Sequence, residues 1–333
     1  MRICNAIAAG PFSHSAKIPR NSSIILCAVP ARQSDAGSVK PIARELPLNT
    51  LALAGGQSVP APASPWAHRR VALTYRWRHG RWPALDRPVR FTEWVQWRKL
   101  NDRRADLAAL TDKAHGKTIA ETRLPGDYII PLLWLGSNLP ETAPWAMPFV
   151  VKANHGCKQC IIVRTATDYA VARKISPRWL EQTYGTWLDE WHYGSARRLI
   201  LVEPYIGGAQ LPVDYKVYVF GGRAEIVQVH TGRAGKHRWT QYDRNWQPLS
   251  ERPLSEQALS EQPPVQAAPA RLADLLAAAE IMARGWDFIR VDFYCEGDRV
   301  LFGEYCLYPG SGLDPFRPDA LDLTLGMRWS DAL

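Results

Sequence analysis

The stretch FIRVDFYCEGDRVLFGEYCLYPGSG, residues 288–312, sets charged residues inside two runs that otherwise have the composition of β-strands. Apolar side chains alternate along both runs, and residues 296–298 between them have the composition of a tight turn. The pattern therefore predicts a β-hairpin. Because alternate side chains share one face of a strand, Arg290 and Asp292 are expected to lie on the same face.

Two carboxylates face each other in the predicted hairpin. With the turn near Asp298, Asp292 lies across from Glu304, and directly paired residues have Cβ atoms roughly 5 Å apart. Like charges at that distance repel each other, which a bound cation or a shared proton relieves. Two interpretations stay open. Either Arg290 neutralises Asp292 on a solvated face, or the two acids hold a divalent ion, for which magnesium carrying phosphates is the best candidate.

The segment that follows the hairpin, Pro309-Gly310-Ser311-Gly312, is predicted to be a tight loop. Backbone without bulky side chains can approach a ligand closely. Ser311 and Gly312 are therefore candidate substrate-binding residues.

The composition indicates a chain with a substantial apolar core. It has 333 residues, of which 46% are hydrophobic, enough for two domains or one large one. No run in the sequence reaches the roughly 18 apolar residues that a membrane-spanning helix needs. The six cysteines are scattered, which argues against a disulfide framework and predicts a reduced, cytoplasmic setting.

The positive charge is concentrated in the first third of the chain. Residues 1–110 contain 17 Lys and Arg against 6 Asp and Glu, a net +11, whereas the whole chain carries +9. The segment HRRVALTYRWRHGRWPALDRPVRF, residues 68–91, could contact nucleic acid or an anionic membrane face, or form a basic structural extension. No nucleic-acid-binding motif accompanies it, so no nucleic-acid partner is expected, and a peripheral membrane contact stays open.

Three segments are predicted along the chain. Residues 1–65 are rich in Ala, Ser, Pro and Gly and are expected to form a poorly ordered basic extension. Residues 66–110 are expected to form a basic helical segment, and residues 111–330 the main domain. Strands and helices interleave in this domain without strict βαβ repetition, which predicts an α+β fold with antiparallel sheets.

A second group of charged residues lies at the ends of apolar runs. In FVVKANHG, Lys152 leaves an apolar strand just before a loop that contains His155 and Gly156, and a lysine beside loop amides suits a phosphate. Similar positions are held by Lys113, Glu203, Asp214 and Lys216. Each has a plain interpretation as a solvated strand end. Together with the acids of the hairpin they indicate one phosphate-rich cleft.

The order of these motifs resembles that of the ATP-grasp superfamily, and most closely its TupA-like members, found in bacterial polysaccharide and teichuronopeptide synthesis loci. The matching elements are EW…RKL, TDK, VVKANHG, VEPYI, DYK and RVDFY…GEYCLYPGSG, which together cover residues 91 to about 327. The resemblance implies an ATP-grasp fold, in which two α+β lobes with antiparallel sheets enclose a nucleotide cleft. It also implies ATP and Mg²⁺ as cofactors.

The resemblance implies roles for residues in the first half of the match. Lys113 and Lys152 resemble the lysines that hold nucleotide phosphates. The loop after Lys152, with His155 and Gly156, resembles the lid over those phosphates. Glu203 resembles the acid beside adenine.

Further roles follow for the second half. Asp214, with Lys216 beside it, resembles the acid that binds ribose. Asp292 and Glu304 resemble the magnesium ligands, and Arg290 resembles the arginine that steadies the transferred phosphoryl group.

The sequence departs from the superfamily pattern at two points. Many members have Asn two residues after the second acid, where this chain has Cys306, and a neutral thiol is a poor ligand for Mg²⁺. The lid also contains HGCKQC in place of a more glycine-rich segment.

The resemblance implies an ATP-grasp ligase that forms a carbon–nitrogen bond, with Lys152 and Arg290 as catalytic residues. A carboxylate attacks the γ-phosphate of ATP, and an amine then displaces phosphate from the acylphosphate. The expected partners are a small-molecule or saccharide-linked carboxylate acceptor and an amine donor. Arg233 could hold an acidic acceptor, and His155 and His230 are candidate bases.

Two other functions stay open. A sugar-transferring enzyme of a polysaccharide locus would also need paired acids for a nucleotide sugar, although the sequence has no Asp-x-Asp motif. A non-catalytic nucleotide-binding scaffold is favoured by Cys306 and by the altered lid.

Overall fold

A computed structural model describes residues 63–208, 211–231, 238–249 and 266–333. All of these residues belong to one compact unit, Val39–Leu333. Of the extension predicted for residues 1–65, residues 1–62 lie outside the described ranges. Arg233 also lies outside them.

The described ranges contain seven α-helices. They are α1 (Pro65–His79), α2 (Phe91–Asn101), α3 (Ala105–Ala109), α4 (Lys113–Arg123), α5 (Ala166–Glu181), α6 (Leu272–Met282) and α7 (Asp319–Asp331). Short 3₁₀ turns lie at Gly126–Tyr128, Thr186–Leu188, Trp191–Ser195 and Pro309–Gly312.

The strands form two antiparallel sheets. They are β1 (Trp134–Gly136), β2 (Phe149–Ala153), β3 (Cys160–Val163), β4 (Ile200–Pro204), β5 (Asp214–Phe220), β6 (Arg223–Thr231), β7 (Arg238–Asp243), β8 (Phe288–Glu296) and β9 (Arg299–Cys306). The smaller sheet has the order β1-β4-β2-β3 and the larger sheet the order β7-β6-β5-β8-β9. The predicted α+β architecture with antiparallel sheets is confirmed.

Each sheet has its own apolar core. In the larger sheet, the ring of Phe288 lies 5.0 Å from Phe91 of α2 and 4.4 Å from Trp329 of α7, and all three side chains are buried. In the smaller sheet, Phe149 packs against Tyr169 of α5, with ring centroids 5.9 Å apart. The helices α2 and α7 therefore cover the Phe288 end of one face of the larger sheet, and the same face continues toward Arg290 and Asp292.

A buried ion pair fixes α2 and α7 to the start of β8. Arg98 of α2 is fully buried and donates hydrogen bonds of 2.9 and 3.0 Å to the two carboxylate oxygens of Asp287. The indole Nε1 of Trp329 donates to the same carboxylate at 2.8 Å. Because a buried charge without its partner is costly, the three elements are held in one arrangement.

Two segments differ from what their sequences predict. The run from Phe91 onward, FTEWVQWRKL, predicts a helix with Thr92 as its N-cap, but Arg90 holds the cap position, and Thr92 lies inside the helix and donates to Asp322. The sequence over residues 168–192 predicts a pair of helices, but the structure has one α-helix, α5, followed by two 3₁₀ turns. Gly185, with a φ of 81°, starts the first of these turns, because its left-handed backbone cannot continue a helix.

Candidate functional site

A row of polar side chains crosses the larger sheet. In the register of the strands, Gln241 pairs with Gln228, Gln228 with Lys216, Lys216 with Asp292, and Asp292 with Glu304. Directly paired residues lie on the same face of a sheet, so the five side chains stand side by side. The predicted placement of Asp292 opposite Glu304 is confirmed.

Asp292 is surrounded by cations. Its carboxylate accepts hydrogen bonds of 2.7 and 2.8 Å from the guanidinium of Arg290 and one of 2.6 Å from the Nζ of Lys216. Burial alone would raise the pKa of Asp292, but Arg290 and Lys216 hold it well below its usual range. Arg290 thus does neutralise Asp292, but within a buried cluster rather than on a solvated face, since Asp292 is only 2% exposed.

Lys216 also joins Asp214 to this cluster. Its Nζ lies 2.6 Å from a carboxylate oxygen of Asp214, which is buried at the start of β5. In the register of the sheet, Asp214 stands between Tyr294 and His230. The structure therefore brings Asp214, Lys216, Arg290 and Asp292 together.

Lys113 connects the hairpin to the loop after β2. It is the first residue of α4, which Asp112 caps by accepting a hydrogen bond of 2.9 Å from the backbone of His115. The Nζ of Lys113 donates to the carbonyl oxygen of Gly156 at 2.6 Å and lies 3.1 Å from the carboxylate of Glu304. Burial alone would lower the pKa of Lys113, but the charge of Glu304 raises it. One ammonium thus links the last strand of the larger sheet with the loop of the smaller one.

Glu203 holds two further lysines. Its carboxylate lies 2.7 Å from the Nζ of Lys117 and 2.5 Å from that of Lys152. Burial would raise the pKa of Glu203, but Lys152 and Lys117 lower it to about 2. The sequence interpretation missed Lys117, which lies four residues after Lys113 on the same face of α4; this spacing is the signal that could have revealed it.

Lys152 lies within electrostatic range of the hairpin. Burial alone would lower its pKa, but Glu203 raises it, and Tyr294 of β8 and Glu304 of β9 add to the effect. Lys152 also lowers the pKa of Lys113, because the two positive charges repel each other. The lysines at residues 113 and 152 and the acid at 304 are therefore neighbours in space.

The loop after β2 is tied down on both sides. The Nδ2 of Asn154 donates to the carbonyl of Arg197, and its Oδ1 accepts from the backbone N–H of Ala114, each at 2.9 Å. His155 is buried, and its Nε2 donates to the carbonyl of Trp179 at 2.9 Å. Burial lowers the pKa of His155, so the imidazole is neutral near pH 7. His155 therefore holds the loop against α5.

The acids of the hairpin fit a magnesium ion better than the neighbouring cysteine does. Asp292 and Glu304 are paired with cations that lower the pKa of each carboxyl, so both offer ionised oxygens. Cys306 is buried opposite Arg290, and burial raises the pKa of its thiol, which stays neutral. In the described ranges, no group of three or more His, Cys, Asp and Glu is placed to hold a metal. An ion at the two acids would take its other ligands from phosphate and water.

Ser311 and Gly312 are engaged with α1 and α2. The Nζ of Lys99 donates to the carbonyl and the hydroxyl oxygens of Ser311 at 2.8 and 2.7 Å. The carbonyl of Gly312 accepts from Gln96 at 3.1 Å and from the ring of His79 at 3.0 Å. Their part in substrate binding stays a prediction, and Lys99 is a neighbour that the sequence interpretation missed.

A cavity of about 320 Å³ lies beside this loop. It is lined by Lys99 near the end of α2, by Arg103 just after that helix, by Arg70 of α1, and by Tyr184 and Glu190. Burial lowers the pKa of Lys99 to about 8 and raises that of Glu190. The lining of this cavity does not include Lys152, Asp292 or Glu304, so the cavity is distinct from the cation–carboxylate cluster.

Two antiparallel sheets, with Lys113 and Lys152 gathered near the carboxylate of Glu304 in the last hairpin, define an ATP-grasp type of protein. The chain belongs to the TupA-like ATP-grasp family: the family model described as TupA-like ATPgrasp matches residues 93–329. The family and the ATP-grasp fold predicted from the sequence are confirmed.

Solved structures of several ligases are similar to this chain at low identity. D-alanine–D-alanine ligase from Bacillus anthracis, complexed with ATP, is 14% identical over 67% of this chain and 64% of its own, with a TM-score of 0.42. The Helicobacter pylori enzyme is 16% identical over 68% and 59%, with a TM-score of 0.39. L-Amino acid ligase from Bacillus licheniformis is 12% identical over 65% and 48%, with a TM-score of 0.41. The chain thus spans less than two thirds of the length of these three ligases.

No curated protein matches the sequence. Over the ranges that the structure describes, every helix is too short or too polar to cross a membrane.

Proposed function

We propose that this chain is an ATP-dependent carboxylate–amine ligase that uses MgATP and passes through an acylphosphate. The observation that carries the proposal is the position of Lys113, whose ammonium contacts both the Gly156 carbonyl and the Glu304 carboxylate. A cation between the lid loop and the last hairpin is suited to the phosphates of a nucleotide. The family of the chain supports the same class of reaction.

The cluster is built for charge stabilisation rather than for covalent catalysis. In the reaction, a carboxylate oxygen of the acceptor bonds to the γ-phosphorus and ADP leaves. The amine nitrogen then bonds to the acyl carbon, inorganic phosphate leaves, and the amine loses a proton. Lys152 and Arg290 would hold the negative charge on the transferred phosphoryl group, as preorganised cations do in phosphoryl transfer. No protein nucleophile is needed.

The acids and the remaining lysines have separate tasks in this proposal. Asp292 and Glu304 would hold Mg²⁺, which would neutralise the negative charge of the phosphates. Glu203 would stand beside the adenine and orient Lys117 and Lys152, and Asp214 would receive the ribose. Because Lys113, Lys152 and Lys216 now bind carboxylates, each can exchange a carboxylate for phosphate oxygens when the nucleotide enters.

The finer function is proposed from the family. TupA-like members occur in polysaccharide loci, so we propose a saccharide-linked or small carboxylate as acceptor and an amine as donor, in the biosynthesis of a cell-surface polymer. An enzyme that consumes ATP for this purpose is expected in the cytoplasm, where ATP is made. Arg233, predicted to hold the acceptor, lies outside the described residues.

The proposal is tested by trapping the acylphosphate. The purified chain is incubated with ATP, Mg²⁺, hydroxylamine and a panel of amino acids and hexuronic acids, and ADP and hydroxamate are measured. Equal amounts of both products are expected with the true acceptor. Asp292→Asn and Lys152→Ala should each lower the rate at least about 100-fold, since each removes a charge that the transition state uses.

The matched control is Lys174→Ala, because Lys174 is an exposed lysine on α5 away from the cluster. It should keep the wild-type rate. Hydroxamate formation that survives Asp292→Asn at the wild-type rate would contradict the proposal.

A non-catalytic nucleotide-binding scaffold is the second candidate, and one observation favours it. Cys306 is a buried neutral thiol where many superfamily members have Asn, so the metal site has one oxygen ligand fewer. The scaffold predicts that MgATP binds but that no acceptor releases ADP. Cys306→Asn should then leave ADP release at background, whereas in a ligase it should preserve or raise the rate.

A further inference from the structure

Helix α1 presents a ridge of large apolar side chains to solvent. Trp66, Leu73 and Trp77 are 74%, 58% and 60% exposed, and Trp82, just after the helix, is 57% exposed. The spacing of seven and four residues places Trp66, Leu73 and Trp77 along one side of the helix. We call these four side chains the tryptophan ridge.

The inner side of α1 fixes its orientation. Tyr75 is fully buried and its hydroxyl lies 2.9 Å from the Oγ1 of Thr92. The guanidinium of Arg78 donates to the carbonyl of Leu313 at 2.7 Å, and Arg70 donates to both carboxylate oxygens of Asp189. The ridge is therefore held outward on a helix that is anchored along its length.

The surroundings of the ridge are positive. Residues 65–85 contain five Arg and no Asp or Glu, although Arg70, Arg78 and Arg81 pair with aspartates of other segments. Arg69 lies over the ring of Trp66 at 5.4 Å, and Arg76 over the ring of Trp82 at 4.9 Å. Among the described residues, neither of these two guanidinium groups has a carboxylate within 4.0 Å. Their charge is thus available to an anionic partner.

We propose that the tryptophan ridge docks the protein on an anionic lipid bilayer surface. Indole rings prefer the interface between headgroups and acyl chains, and neighbouring arginines gain from negative headgroups. A nucleic acid fits less well, because Leu73 at the centre of a convex ridge offers nothing to a phosphate or a base, and Arg70 and Arg81 are engaged with Asp189 and Asp319. The proposal is independent of the ligase activity.

The test is flotation of the full chain with vesicles. Vesicles of phosphatidylcholine and phosphatidylglycerol in equal parts are compared with pure phosphatidylcholine vesicles at 0.05 and 0.5 M NaCl, conditions that separate electrostatic from apolar binding. We expect the protein to float with the anionic vesicles at low salt, at least about tenfold more than with neutral ones. Binding should weaken at high salt.

Two variants and a control assign the binding to the ridge. The double variant Trp66→Ser, Trp77→Ser and the charge variant Arg69→Glu, Arg76→Glu should each reduce flotation at least about tenfold. Trp239→Ser changes an exposed tryptophan of β7, 38% exposed, and should float like the wild type. Unchanged thermal unfolding of the variants would show that they are folded, as expected for exposed positions.

Three results would overturn the proposal. The first is absence of flotation with anionic vesicles, which would mean that the ridge does not bind a bilayer surface. The second is flotation that the ridge variants leave unchanged. The third is a dimer in solution that the double variant abolishes, or RNA binding that outcompetes the vesicles, either of which would give the ridge a different partner.

Discussion

Glu203 is the carboxylate that pairs with both the buried Lys117 and the half-buried Lys152. Replacing it by Gln leaves Lys117 and Lys152 without their anion, and breaking a buried ion pair by removing one partner typically costs about 3–5 kcal/mol. We therefore expect Glu203→Gln to lower the free energy of unfolding by about 3 kcal/mol in urea titrations at pH 7. The matched variant Glu181→Gln changes an exposed acid at the end of α5 and should stay within about 0.5 kcal/mol. Equal free energies of unfolding for the two variants would contradict the claim that Lys117 and Lys152 need the charge of Glu203.

His192 is expected to make the fold sensitive to mild acid. Burial, and then Arg98, lower its pKa from 6.5 to about 2. Below pH 6.5 the unfolded chain binds a proton at this position that the folded chain does not bind, so the free energy of unfolding falls as the pH falls. At pH 5 the loss from this group is roughly 2 kcal/mol. Burial also lowers the pKa of His79, His115 and His155, which adds to the effect.

The measurement is the free energy of unfolding at pH 7 and at pH 5. His192→Asn should make the decrease between these values clearly smaller than in the wild type. An identical decrease in His192→Asn and the wild type would show that the unfolded chain gains no proton at His192.

At the scale of elements, the last hairpin was the part of the fold most accessible to sequence interpretation. Period-two alternation and a Gly-containing turn specify a hairpin locally. The turn pairs Glu296 with Arg299, and a bulge between Asp292 and Phe293 then shifts the register by one residue, so that Asp292 lies opposite Glu304. Lys113 and Lys152 were identified by motif. Gln228, Gln241 and Lys99 were missed, because their partners are set by pairing between strands and helices far apart in the sequence, which no local pattern records.

The contact between the loop at 309–312 and α2 is another feature that only the structure defines. Gly312 has a φ of 64°, and a Cβ there would lie 2.8 Å from the Cβ of Val95 and 2.9 Å from the carbonyl of Thr92. Gly312→Ala should therefore lower the free energy of unfolding by about 3 kcal/mol, combining left-handed strain with overpacking. Gly222→Ala, at a φ of 80° with open space around it, should cost about 1 kcal/mol. Urea unfolding of both variants checks the difference, and similar losses would mean that α2 does not pack closely on the loop.

At the scale of the whole molecule, the site depends on residues from both sheets. Lys152 and Glu203 belong to the smaller sheet, and Asp292 and Glu304 to the larger one. Lys113 of α4 contacts both parts through Gly156 and Glu304. The sequence could indicate that these residues share a cleft only through their resemblance to a family, since charges at strand ends are common. The two sheets pack into one unit, and this packing brings the charged residues of both sheets together in one cleft.

The measurement that tests this account most directly is a thermal-shift titration with MgATP on the wild type, Lys152→Ala, Asp292→Asn and the control Lys174→Ala. Ligand at about 100 times its dissociation constant should stabilise the wild type and the control by roughly 2.7 kcal/mol. Each site variant, compared with its own unliganded form, should lose most of that gain. Absence of stabilisation in the wild type, or full stabilisation of Asp292→Asn, would contradict the claim that Lys113, Lys152 and the acids of the last hairpin form a single nucleotide site.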